Sequence, residues 1–374
     1  MLRKLALLPL ALSALLGRGS ALPAVKRAAN DATPRNVIYV QTFEYSNGTQ
    51  VSLLPLLQQN TQVTHVILAA LHINQDPGDI TLNDNSPDSS YYDFLWPEVQ
   101  QLQAAGIKVM IMMGGAAVGS YQRLASNFNA YYPPLVQILK NHSIDGLDLD
   151  IEEDVPLSGP LQLLQQLNSD MGTDFILTSA PVASALTTNG PNINNLSYFD
   201  LDAQATDSSR PNGKLINWYN AQAYNGWGDA GSPDTYTSII NSGWAASRVV
   251  FGVPDSQNDG SGWVSLQTLA GVISTLRQDY SDFGGVFGWE YFDAGTNDNL
   301  NDPWEWVKTI GSDLFSALSK RAVARVRKTP KPITPFEPQM AELTSKGVSF
   351  GDALVSLNKT GGDLGRAKAR LHLA

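Results

Sequence analysis

Eight short runs rich in valine, isoleucine and leucine recur between residues 36 and 290, each followed by a stretch with helical spacing. They begin near Asn36 (NVIYVQTF), Thr64 (THVILAAL), Ile107 (IKVMIMMGG), Ile144 (IDGLDLDIE), Asp174 (DFILTSAPV), Ile216 (INWYNAQAY), Arg248 (RVVFGVP) and Gly284 (GGVFGWEYF). Successive starts are 28 to 43 residues apart, and one strand plus one returning helix needs about 30 residues. That rhythm predicts repeated βα units and a parallel sheet, and eight units predict an α/β fold of the closed (β/α)8 TIM barrel type rather than an open, doubly wound sheet. No glycine-rich phosphate fingerprint follows the first run, which argues against a dinucleotide fold. Helical connectors such as WPEVQQLQAAG and PLQLLQQLNSDMG fit between the runs, and the barrel is expected to end with the helix that starts at Pro303.

The fourth run is unusual in carrying Asp145, Asp148, Asp150 and Glu152 within eight residues. A strand alternates its side chains, so Asp148, Asp150 and Glu152 share one face while Leu147, Leu149 and Ile151 take the other. In a barrel the first face points to the interior and the second to the helices. Carboxyl groups held side by side away from water cannot all ionise comfortably, so one of them retains a proton near neutral pH, as a general acid must. Glu152, last in the run, is expected at the C-terminal mouth where barrel enzymes react. Two other readings fit the segment less well. A solvated acidic edge strand would not need its opposite face to be apolar, and a cation-binding D-x-D-x-E loop lacks the usual glycine and would send alternate ligands apart.

The segment Asp145-Gly146-x-Asp148-x-Asp150-x-Glu152 resembles the D-G-x-D-x-D-x-E signature of glycoside hydrolase family 18, and the resemblance extends over about residues 36 to 310. Gly114-Gly115 resembles the end of the family's S-x-G-G motif, with Met112 in the serine position, and Gln222-Ala-Tyr224-Asn225 stands where bacterial-type members have M-x-Y-D. The runs LHINQ, APVASAL and GWEYF look most like fungal endo-β-N-acetylglucosaminidases and next most like short-loop fungal endochitinases.

The resemblance implies Glu152 as general acid, with Asp150 orienting the substrate acetamide and Asp148 sharing a proton with Asp150. It implies Tyr224 as donor to the acetamide oxygen, with Gln222 and Asn225 bonding nearby. Trp289 would form the apolar floor, Gly115 and Tyr39 would line the pocket, and Asp145 and Gly146 would be structural. Gln41 is expected beside Tyr39, and Trp227 and Trp263 are candidates for stacking on more distant sugars. The implied reaction is endo-acting, retaining cleavage of GlcNAc-β-1,4-GlcNAc bonds in which the substrate's own acetamide is the nucleophile. The chitobiose core of N-glycans is the favoured substrate, with chitin and chito-oligosaccharides next and a catalytically inactive sugar-binding barrel third. About 30 residues separate the seventh and eighth runs, too few for the inserted domain that walls a deep chitinase groove.

Residues 1–21 have the order of a secretory signal peptide: Arg3 and Lys4, an apolar run of about 12 residues over 5–16, then Gly19-Ser20-Ala21. A short pro-segment over 22–27 ends at the dibasic Lys26-Arg27, the catalytic domain is expected over 28–319, a basic proline-rich linker over 320–339, and a small helical tail over 340–374, removable at Lys320-Arg321. A secreted, extracellular protein is therefore expected. It has no cysteine, so a large core rather than disulfides must hold the fold. Asn47, Asn141, Asn195 and Asn358 begin N-glycosylation sequons.

Of the net charge of −10, residues 1–27 contribute five bases and no acid and residues 320–374 contribute 11 bases and 4 acids, which leaves −22 in the body. Such a body repels nucleic acid phosphates and anionic membranes and suits a neutral partner such as a glycan. His65, His72, His142 and His372 have no ligand spacing and read as structural or surface residues, so no metal or organic cofactor is expected, and the chain is expected to act as a monomer.

Overall fold

The computed structural model describes residues 32–316 and, beyond them, 342–343, 346, 360 and 364–372. Eight parallel strands close into a barrel: β1 (Arg35–Val40), β2 (His65–Ile73), β4 (Lys108–Gly114), β5 (Gly146–Asp150), β6 (Ile176–Ser179), β7 (Trp218–Gln222), β8 (Val249–Pro254) and β9 (Gly285–Trp289). The short β3 (Ile80–Leu82) pairs antiparallel on the extension of β2, and β1 pairs with both β2 and β9, which closes the ring. Each of the eight apolar runs coincides with one barrel strand.

The helices sit between the strands and pack outside them. α2 (Leu95–Ala104) and α5 (Ser158–Met171) fall where the connectors WPEVQQLQA and PLQLLQQLNSDM predict them. The last barrel helix, α9 (Pro303–Phe315), starts on a capping box between Asp302 and Glu305 with proline in its first turn, a combination that satisfies its free backbone donors.

Alternation along β5 separates two cores. Leu147, Leu149 and Ile151 are fully buried against the helices in the outer core. Each such side chain contributes about 1.5–3 kcal/mol by leaving water. The inner core holds Val37, Tyr39, Ile67, Met110, Trp218, Val250 and Phe287, with Trp289 packed on its upper end. At the lower end, the Arg35 guanidinium stands 4.1 Å over the Trp218 ring and His65 meets the same ring edge-on, so His65 is structural as expected.

The stretches expected as a leader (1–21), a pro-segment (22–27) and a linker (320–339) lie outside the described residues. Within the tail, α10 (Leu364–Arg370) is helical. Asn47, Asn141 and Asn195 are exposed, and among the described residues no helix is long and apolar enough to cross a membrane.

Candidate active site

Strand β5 delivers Asp148 and Asp150 to the barrel interior, where both are buried. The strand ends at Asp150, so Glu152 sits two residues beyond it rather than at its last position, half-buried at the mouth. Asp145 lies at the opposite end, where it accepts from Gln103 Nε2 (2.9 Å), Lys108 Nζ (3.0 Å) and the Val109 amide (2.9 Å) and so ties β5 to β4. Gly146 is needed for space, since a Cβ there would stand 2.4 Å from the Ile176 carbonyl oxygen. Both motif residues thus have local uses in the barrel, Asp145 in tying strands together and Gly146 in leaving room beside β6.

Asp148 is the best-held of the acids. Tyr39 Oη donates to its Oδ2 at 2.7 Å, while Thr178 Oγ1 (2.5 Å) and Asn220 Nδ2 (3.0 Å) donate to its Oδ1. Asn220 is in turn oriented by Trp218 Nε1, which donates to its carboxamide oxygen at 2.9 Å. Among the described residues Asp150 receives one side-chain donor, Gln222 Nε2 at 3.1 Å, and the same amide group also donates to the Ala180 carbonyl at 2.7 Å.

These differences set the protonation order. Burial raises Asp148 above the ordinary carboxyl value, and its three donors oppose the rise. Asp150 is pushed much further, first by burial and then by the negative charges of Glu152 and Asp148, against its single donor. Of the two, Asp150 therefore holds a proton more tightly than Asp148. Among the described residues, the donors to Asp148 are Tyr39, Thr178 and Asn220. Burial also raises Glu152, which keeps a proton at higher pH than a free glutamate would. The Tyr224 phenol is pushed well above its usual value by burial and by Asp150 and Glu152, so it stays a donor.

A cleft of about 410 Å³ opens over these groups. Tyr39, Gln41, Met112, Gly115, Asp150, Glu152, Gln222, Tyr224, Asn225 and Trp289 all line it, so the residues singled out in the sequence converge, with Asp148 directly beneath. Strand β7 stops at Gln222, so Tyr224 and Asn225 extend from its end rather than lying on it. The carboxamide oxygen of Asn225 is committed to the Ser261 amide at 2.8 Å, so this residue braces the rim instead of offering that oxygen to a ligand. Gly114 has φ +103°, and a Cβ on it would stand 2.1 Å from the Asp150 carbonyl oxygen. Gly115 beside it, at φ +81°, donates its amide to that same oxygen at 3.0 Å.

Two tryptophans depart from expectation. Trp227 packs against the outer core, and neither it nor Trp263 lines the cleft. Conversely, His72 does line it, and also a neighbouring polar groove of about 700 Å³ that shares Gln41, His72 and Ala117 with the cleft. Its Nδ1 is buried without a partner among the described residues, and burial lowers its basicity. Simple alternation hides it. Three residue steps along β2, from Leu68 to Leu71, match two along β4, from Ile111 to Met113, and the shift turns both Ala69 and Ala70 inward.

A closed parallel barrel with carboxyl groups converging toward the C-terminal mouth of its strands is the layout of a barrel enzyme. The profile of Glycosyl hydrolases family 18 matches residues 35–308, and the chain belongs to that family. A solved chitinase structure from Aspergillus fumigatus is 44% identical, covers 73% of this chain and 97% of that one, and superposes with a TM-score of 0.67. A fungal endo-β-N-acetylglucosaminidase of the same family is 35% identical, covers 76% of this chain and 99% of that one, and gives a TM-score of 0.69. Chitinase 2 of Rhizopus oligosporus is 25% identical over 297 residues, which is 71% of this chain, and the chain spans 51% of the length of that relative.

Proposed function

We propose that the chain is a secreted, endo-acting, retaining hydrolase of GlcNAc-β-1,4-GlcNAc bonds. The observation that carries this reading is the unequal carboxyl series: Asp148 held by Tyr39, Thr178 and Asn220 beneath Asp150, which accepts from Gln222, with Glu152 at the open mouth and the Tyr224 phenol in the same cleft. Glu152 gives its proton to the glycosidic oxygen as the bond from C1 breaks. The carbonyl oxygen of the 2-acetamido group attacks C1, and the sugar becomes an oxazolinium ion. Asp150 orients the acetamide N–H, its proton passing toward Asp148 as positive charge grows on the ring nitrogen. Tyr224 donates to the acetamide oxygen, and Trp289 supports the apolar face of the sugar. Water then attacks C1 and yields its proton to Glu152, which returns the acid and leaves the anomeric configuration unchanged.

The chitobiose core of N-glycans is the favoured substrate. Its branched, hydroxyl-rich arms suit the broad groove that continues from the cleft, whose lining includes Asn74, Thr81, Asn83, Asp84 and Asn85. Chitin and chito-oligosaccharides are the second reading, favoured by the 44% identity to the Aspergillus fumigatus chitinase. Incubation with a high-mannose glycoprotein and with colloidal chitin separates them. Release of intact oligomannose carrying one GlcNAc supports the first reading, and soluble chito-oligosaccharides from chitin with an untouched glycoprotein establish the second.

A further inference from the structure

A second group of acids meets where the loops after β8 and β9 touch, behind Trp289. We infer that Asp255, Asp259 and Asp293 bind one divalent cation of the calcium type that ties these two loops together. One carboxylate oxygen from each residue lies within 4.8 Å of those of the other two. That span is what ligands about 2.3–2.6 Å from a shared calcium ion require.

Convergent acids alone do not make a site, and the independent observation is the state of Asp255. This residue is 0% exposed, and its backbone is fixed, its amide donating to the Trp289 carbonyl (2.8 Å) and its carbonyl accepting from the Gly295 amide (2.9 Å). Yet among the described residues neither Oδ1 nor Oδ2 meets an N–H or hydroxyl donor, its side-chain neighbour being the carboxyl of Asp259, and the buried Oδ1 of Asp293 also lacks a donor. The charged groups acting on Asp255 are Asp259, Asp293 and Glu290, all acids. A buried carboxylate without donor or counter-charge is costly. One proton shared between Asp255 and Asp259 satisfies a single contact and leaves Asp293 Oδ1 unsatisfied, whereas one ion among the three draws a carboxylate oxygen from each residue.

The remaining oxygens are already used to aim the ligands. Asp259 Oδ2 accepts from the Ser256 amide (3.0 Å) and the Glu290 amide (3.3 Å), and Asp293 Oδ2 accepts from Asn258 Nδ2 (3.0 Å). An all-oxygen donor set selects a hard cation over zinc or copper. Asp259 and Asp293 are half-buried, so water completes the coordination on their open side. Asp259 also borders the cleft, and Glu290 accepts from the Gln41 and Thr42 amides, so the ion would stiffen the wall that carries Trp289.

Terbium, a luminescent calcium substitute, tests this on the chelator-treated full chain. Trp306 supplies the sensitiser: a Cβ on Gly288 would stand 2.6 Å from both Asp255 Oδ2 and Trp306 Cζ3. The expected result is saturable terbium emission that calcium displaces, together with a rise in Tm of roughly 3 °C in about 10 mM calcium for a site of millimolar affinity. Asp255→Asn and, separately, Asp293→Asn abolish both signals, while the exposed control Asp234→Asn keeps them. Absence of saturable emission and of any calcium-dependent Tm shift in the wild-type chain would overturn the inference, as would signals that survive both Asp255→Asn and Asp293→Asn.

Discussion

Replacing Tyr39 by phenylalanine removes one hydroxyl and isolates one interaction. Tyr39 Oη is the donor to Asp148 Oδ2, while Thr178 and Asn220 both serve Oδ1. Tyr39→Phe therefore leaves a fully buried carboxylate oxygen without a donor. A hydrogen bond to a charged group contributes about 1.5–3 kcal/mol, and one pKa unit corresponds to about 1.4 kcal/mol, so the Asp148 carboxyl rises by roughly one to two units. The proton that Asp150 holds more tightly then moves toward Asp148. Two readouts follow. The acidic limb of the kcat/KM profile moves up by roughly one to two pH units, because Asp148 must be ionised. Stability responds in the same direction. The folded value of Asp148 already lies above its unfolded value, so the folded state holds the proton more tightly and stability falls as pH rises through that range. Tyr39→Phe makes that fall steeper. Paired pH-rate profiles and thermal melts measure both effects. An acidic limb that stays in place in a fully folded variant would refute the protonation order assigned to Asp148 and Asp150.

Other substitutions probe separate parts of the account. Glu152→Gln lowers kcat by about 10²–10⁴ while oligosaccharide binding, followed by calorimetry, is retained; in the wild type, activity falls as pH rises through the elevated value of Glu152. Gly114→Ala forces a Cβ at positive φ to within 2.1 Å of the Asp150 carbonyl oxygen, and a loss of about 3 kcal/mol or more appears as a Tm lower by over roughly 5 °C. Leu149→Ala, in the outer core behind the acids, costs about 2–5 kcal/mol of stability in denaturant titrations yet leaves the pH profile in place. His72→Ala raises KM by about fivefold with little change in kcat, because the lost contact is to sugar beyond the reacting bond.

Strand alternation made most of the site legible in advance. On β5 the period of two holds without interruption, so the division into Leu147 and Leu149 outside and Asp148 and Asp150 inside follows from spacing alone. The barrel was equally readable, since each βα unit repeats the same apolar rhythm. Legibility fails where the period breaks or where distant loops meet. The register shift after Leu68 moves His72 onto the inner face, against simple counting. Asp255 and Asp293 are 38 positions apart and meet only because β8 and β9 are neighbours. Trp227 shows the opposite error: its place after a barrel strand suggested a sugar platform, but its ring is packed against the outer core.

The central claim, that Glu152 cleaves a GlcNAc glycoside with the acetamide as nucleophile, predicts a configuration that can be watched directly. Proton NMR of the first products from a chito-oligosaccharide or a chitobiose-core glycan, recorded before mutarotation, should show the new reducing end as the β-anomer. The signal should be lost in Glu152→Gln. An α-anomer, or β-product formed at the wild-type rate by Glu152→Gln, would contradict the mechanism.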